Sequence, residues 1–138
     1  MLLYLHVADR IAHVKFIEEK LKRGYNVICD RYVISSLVYQ QIQGIPLEFI
    51  EQINSFCIEP DITFILDIPL NERISRLMII NQLRNTIFFK EENLRLEQRL
   101  YQEMYNRYKN KWKNVFLIDG QRGINHVFKE ITNLLDIS

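Results

Sequence analysis

At 138 residues, with 48% hydrophobic and 25% charged residues, the chain has the size and balance of one globular domain with a real core. Its formal net charge of +1 gives no global electrostatic case for nucleic acid or an anionic membrane as partner. No apolar run approaches a membrane span, and the opening MLLYLHVADR has no basic region ahead of its apolar residues to read as a signal peptide. Cys29 and Cys57 offer neither a metal spacing nor a disulfide framework, so a reduced, cytoplasmic location is the expectation.

Met1 to Leu21 places Leu2, Leu5, Ala8, Ala12 and Phe16 at helical spacing. Lys20, Lys22 and Arg23 then give a basic last turn, and Gly24 a stop. Val27 to Cys29 reads as a first buried strand that ends at Asp30-Arg31-Tyr32. Ile34 to Gln43 is a second helix, stopped by Gly44 and Pro46, and Leu47 to Phe56 a third. After Pro60-Asp61, Ile62 to Leu66 is a second buried strand ending at Asp67. Pro69 sits near the start of a fourth helix that carries Ile74, Leu77 and Met78. Residues 81–90 lack clean periodicity and read as a loop or lid. A long charged helix follows from about Glu91 to Lys113, then a third strand, Val115 to Ile118, ended by Asp119-Gly120. Ile124 to Leu135 forms a last helix. Strands alternating with helices predict an α/β fold with a parallel sheet, in a single domain over residues 1–138.

In open α/β sheets, ligands bind outside the carboxyl ends of the strands. That rule puts Asp30 and Arg31 where chemistry is expected. The planar fork of Arg31 matches a phosphate with two hydrogen bonds. Asp30 can hold that guanidinium or bind magnesium through oxygen or water. Ser36, Tyr39 and Gln40 fall at i, i+3 and i+4, on one helix face, with Ser35 beside them. Hydroxyls, a phenol and an amide suit a planar heterocycle with carbonyl and imide edges, and equally a polar solvent face. His6 and Arg10, four apart, share another face: Arg10 can reach a phosphate while His6 covers a ring. His13 and His126 have no ligand partners at metal spacing. Arg84 in the lid region is a candidate cation over a transferring group, whereas Arg95 and Arg99 read as a solvated face. Asp67 and Asp119 read as structural strand-end caps.

Four segments, in order, resemble the thymidylate kinase family. LLYLHVADRIAHV is similar to its substrate helix, and VICDRYVISSLVYQ to its Asp-Arg-Tyr/His-x-x-Ser-x-x-x-Tyr-Gln segment, the most specific match. EPDITFILDIPLNERISRL resembles a Pro-Asp-x-Thr-x-x-Leu-Asp-x-Pro strand and helix, and NVFLIDG the last strand and loop. The resemblance implies a fold of the phosphate-loop kinase kind, with helices on both faces of a parallel sheet. It implies transfer of the ATP γ-phosphate to dTMP with magnesium, and a possible homodimer. By position, Arg31 and Arg10 hold the dTMP phosphate, Asp30 lies near phosphate and metal, and Tyr39 stands under the sugar. Ser35, Ser36 and Gln40 line the thymine side, and His6 falls where the family often has a stacking aromatic. Deoxynucleoside kinases resemble the same fold but typically carry Glu-Arg-Ser where this chain has Asp30-Arg31-Tyr32.

Two departures accompany the resemblance. No G-x-x-x-x-G-K-[ST] stretch occurs in the 138 residues, whereas the family opens with a strand and such a loop. In the lid, Asn85 to Lys90 stands where the family commonly has an arginine-containing Asp-Arg-x-Glu stretch. The expectation is therefore a chain truncated at its N-terminus that lacks the central strand and the ATP site. The alternatives are one half of a split kinase, or a nucleotide-binding or interaction protein without catalysis.

Overall fold

A computed structural model describes residues 2–79 and 91–136 of the chain. They divide into two compact units, Met1–Glu59 and Pro60–Ser138. The expected lid, 81–90, and its Arg84 lie outside the described residues.

The first unit is helical among its described residues: α1 is Leu2–Lys22, α2 Val33–Ile42 and α3 Leu47–Ile53. Two helix ends are closed by the same device. Gly24 N–H donates to Leu21 O at 2.9 Å and Tyr25 N–H to Lys20 O at 3.1 Å; Gly44 and Ile45 repeat the pattern onto Gln41 and Gln40. Gly24 at φ +79° and Gly44 at φ +82° take the left-handed turn this closure needs. α3 stops at Ile53, short of the expected Phe56; the Asn54 side chain and backbone N–H both donate to Ile50 O, at 2.8 and 3.2 Å, and the last turn tightens as Asn54 N–H also reaches Glu51 O. Leu37, Val38 and Ile50 are fully buried where α2 and α3 pack together.

The first expected strand does not form. Val27–Cys29 takes part in no ladder, and Ile28 is 94% exposed. A strand exists by exchanging main-chain hydrogen bonds with a neighbour, and no described segment pairs with these residues.

The second unit carries the α/β character. It runs β1 (Thr63–Asp67), α4 (Leu70–Ile79), α5 (Glu91–Tyr108), β2 (Val115–Asp119) and α6 (Ile124–Leu134). β1 and β2 pair in parallel, Thr63 opposite Val115 through Asp67 opposite Asp119. Phe64 and Phe116 face each other across the pair and stack at 5.8 Å between centroids. α5 packs against both strands and α4, and α6 packs on β2. α5 buries Leu94, Glu97, Leu100, Met104 and Tyr108, the one-face pattern of an amphipathic helix. Its one buried charge, Glu97, accepts from Arg73 of α4 at 2.6 Å. α5 ends at Tyr108 rather than near Lys113. Lys111 and Trp112 N–H both donate to Tyr108 O, and the turn seats the Trp112 ring on Tyr108 at 4.5 Å.

Candidate functional site

The expected site residues gather in the first unit around the start of α2. The chain enters it through an unusual backbone step. Arg31 has φ +65°, left-handed for a non-glycine residue, and Tyr32 follows as the N-cap at φ −145°. Such a step costs on the order of 1–2 kcal/mol and marks positions that neighbouring structure holds in place. No side chain caps the helix; the first turn opens with Ser36 N–H donating to Tyr32 O at 3.3 Å.

The step places two guanidiniums on two rings. Arg31 is exposed, and its guanidinium lies over the Tyr39 ring, 5.0 Å from the centroid. Arg10, from α1, lies over the Tyr32 ring at 4.7 Å and donates through Nη2 to Ser36 Oγ at 3.4 Å. Both arginines therefore sit against the first two turns of α2. An arginine on an aromatic face keeps its in-plane N–H donors for an anion. The uncapped positive end of the α2 dipole adds to the same preference.

The polar groups around this cluster are incompletely satisfied. Gln40 is 4% exposed, and its Oε1 is buried without a hydrogen-bond partner. The Tyr32 hydroxyl is likewise buried and unpaired; the Cys57 thiol beside it is too weak a partner to satisfy it. Burial, then the Cys57 thiol, push the Tyr32 phenol well above its ordinary range, although the Arg10 guanidinium pulls the other way. Burial also pushes the Cys57 thiol up, against the Tyr32 hydroxyl and Arg10, which lower it. His13, one turn after Arg10, meets Tyr32 edge-on at 6.4 Å.

The remaining expected residues take these positions. Ser35, Ser36 and Tyr39 are half-buried on α2, and Asp30 is exposed immediately before the left-handed step. His6 is exposed on α1, one turn before Arg10. Among the described residues no three His, Cys, Asp or Glu side chains gather as a metal cage. Asp30 stands as a single exposed carboxylate.

In the second unit the strand-end aspartates are taken up by local structure. Asp67 Oδ1 accepts from Gln98 Nε2 at 3.4 Å. Asp119 accepts from Gln121 N–H at 3.0 Å and pairs with Arg122 at 3.2 Å. Arg95 and Arg99 make exposed i,i+4 pairs with Glu91 and Glu103, the expected solvated face. Sequence reasoning gave Tyr32 and Cys57 no role. The only signal available was an aromatic directly after Asp30-Arg31, and its contact with Arg10 crosses between two helical segments that no periodicity links.

The family model for thymidylate kinase matches residues 1–131. The chain belongs to the thymidylate kinase family. It is 39% identical over 137 residues to the probable thymidylate kinase of Caldivirga maquilingensis, covering 96% of this chain and 62% of that one. A probable thymidylate kinase of Methanococcus maripaludis is 38% identical over 135 residues, covering 95% of this chain and 66% of the relative. A third, from Pyrococcus abyssi, reaches 51% over 73 residues, 53% of this chain and 36% of the relative. The chain thus spans less than two thirds of the length of these relatives. The family is one of phosphotransferases, and its members' α/β architecture matches the parallel strand pair and helices described above.

Proposed function

We propose that this chain supplies the acceptor side of a dTMP kinase, holding dTMP to receive the γ-phosphate of ATP. The observation that carries the reading is the pair of arginines, Arg10 and Arg31, each on an aromatic ring against the opening of α2. Both guanidiniums donate to the phosphate oxygens of dTMP. Their fixed charge draws the dianion and holds its attacking oxygen in one orientation. Tyr39 carries Arg31 on its face, so phosphate and sugar recognition share one platform; a ribose 2′-hydroxyl would crowd that ring. Ser35, Ser36 and the unpartnered Gln40 Oε1 meet the polar edge of thymine, where its imide N–H satisfies the buried acceptor. His6 covers the base from α1.

Magnesium, when bound, neutralises charge on the phosphate oxygens, and Asp30 is the carboxylate placed to hold it. Arg84 is retained as the lid arginine of this reading. No G-x-x-x-x-G-K-[ST] stretch occurs in the 138 residues, so none of them is assigned to the phosphates of ATP.

Calorimetry on the 138-residue chain tests the reading. dTMP is expected to bind at least tenfold more tightly than thymidine, and more tightly than ribothymidine monophosphate. Equal affinity for dTMP and thymidine would sink the phosphate assignment; equal affinity for the deoxy and ribo forms would sink the role of Tyr39. A coupled assay with ATP, magnesium and dTMP separates acceptor binding from turnover. Binding without turnover is the expected result, and turnover lost in Arg31→Ala would make this chain a kinase by itself.

A further inference from the structure

Tyr32 makes two ring contacts that no substrate role explains. Its ring takes the Arg10 guanidinium on its face at 4.7 Å, and the His13 ring meets it edge-on at 6.4 Å. Its hydroxyl is buried with only the weak Cys57 thiol beside it. A tyrosine held by its hydroxyl would show a well-formed bond there. This one is held by its ring.

We infer that Tyr32 is a positioning residue: its ring sets the plane in which the Arg10 guanidinium presents its donors. The inference rests on the reading of Arg10 as a phosphate ligand. Arginine has four rotatable side-chain bonds, and an unrestrained guanidinium loses much rotamer freedom when it captures an anion. Here two contacts remove that freedom in advance. The Tyr32 ring lies under the guanidinium carbon at 4.7 Å, and Ser36 Oγ accepts from Nη2 at 3.4 Å. With the ring on one side and one nitrogen anchored, the remaining N–H groups have fewer directions open to them.

The backbone explains how one residue after Arg31 serves a different arginine. At φ +65° Arg31 turns the chain sharply, and the two successive side chains part. Arg31 folds onto Tyr39 of the helix that follows it, while Tyr32 meets Arg10 of α1. A residue without a ring at 32 would leave Arg10 with the long Ser36 contact alone.

The hydroxyl is dispensable on this account and the ring is not. Tyr32→Phe therefore keeps dTMP affinity within about threefold, and Tyr32→Leu lowers it about tenfold while thymidine affinity is unchanged. In an Arg10→Ala background, Tyr32→Leu adds no further loss, because the residue acts through Arg10. Unchanged dTMP affinity in a folded Tyr32→Leu chain would overturn the inference.

A ligand-free readout keeps it separate from the assignment of substrate. In the proton NMR spectrum of the wild-type chain, the Nε–H of Arg10, assigned by its loss in Arg10→Lys, is expected upfield from the Tyr32 ring current. The shift persists in Tyr32→Phe. An unshifted Arg10 Nε–H in the wild type overturns the positioning whatever dTMP does, and needs no Tyr32 variant to fold. A shifted Arg10 with equal affinity for dTMP and thymidine overturns the monophosphate reading instead, and supports the ring contact.

Discussion

Val27–Cys29 and Val115–Ile118 are nearly interchangeable as sequence: short, apolar, rich in β-branched residues and ended by an aspartate. Their fates are opposite. Ile118 is 1% exposed in a parallel ladder under α5, and Ile28 is 94% exposed in a stretch with no ladder. The difference teaches that an apolar run is only an offer of a strand. β2 finds β1 in register over five residues and buries Val115 and Ile118; 27–29 finds no described partner, and Ile28 stays in water while Val27 and Cys29 are half-buried.

The sharpest way to break that comparison is to truncate both isoleucines in the 138-residue chain. Ile118→Ala is expected to cost about 2–5 kcal/mol, as transfer and cavity terms add in a packed site. Ile28→Ala is expected to stay within about 0.5 kcal/mol. Urea unfolding of both variants decides it. A large loss from Ile28→Ala would show that the stretch finds cover in solution.

The sheet unit also contains a buried charge that the extended stretch lacks. Arg73→Met removes the partner held at 2.6 Å by Glu97, whose side chain is 5% exposed. The expected loss is about 2 kcal/mol, below the roughly 3–5 of a fully buried pair because Arg73 keeps contact with solvent. A melting temperature unchanged from wild type would show that other contacts carry Glu97.

At the end of the exposed stretch, strain takes the place of packing. Arg31→Gly relieves a left-handed step worth about 1–2 kcal/mol. It gives up an exposed ring contact worth about 0.5–1 kcal/mol. Stability is expected to hold or rise by up to about 1 kcal/mol, while dTMP affinity falls at least tenfold. A variant less stable than wild type would remove the case for strain at this position.

The smallest effect is one of pH. Tyr32 and Cys57 hold their protons more tightly folded than unfolded, so their contribution to stability is complete below the ordinary thiol range, near pH 8.5. It is lost as pH rises through that range and the phenol range. Denaturation midpoints measured at pH 7.5 and 10 should fall further for the wild type than for the Tyr32→Phe, Cys57→Ala double variant. Equal falls would deny the pair a role.

Much of this was legible along the chain. Helix stops at Gly24 and Gly44 follow from local chemistry, since closure there needs only hydrogen bonds within a few residues and a left-handed glycine. Asp67 and Asp119 read as structural and are absorbed as such. The residues of the candidate site, from Arg10 to Gln40, were visible because helical periodicity places Ser36, Tyr39 and Gln40 on one face and fixed motifs set them beside Asp30-Arg31.

The sequence by itself determined the helices, the apolar runs, the family and the residue types that gather at the opening of α2, because each depends on neighbours within a turn or two. Tertiary structure decided which apolar runs became strands and that Arg10 of α1 meets Tyr32. Those outcomes turn on a partner brought from elsewhere in the chain, and a hydrogen-bonded ladder or a guanidinium on a ring has no energy until that partner arrives.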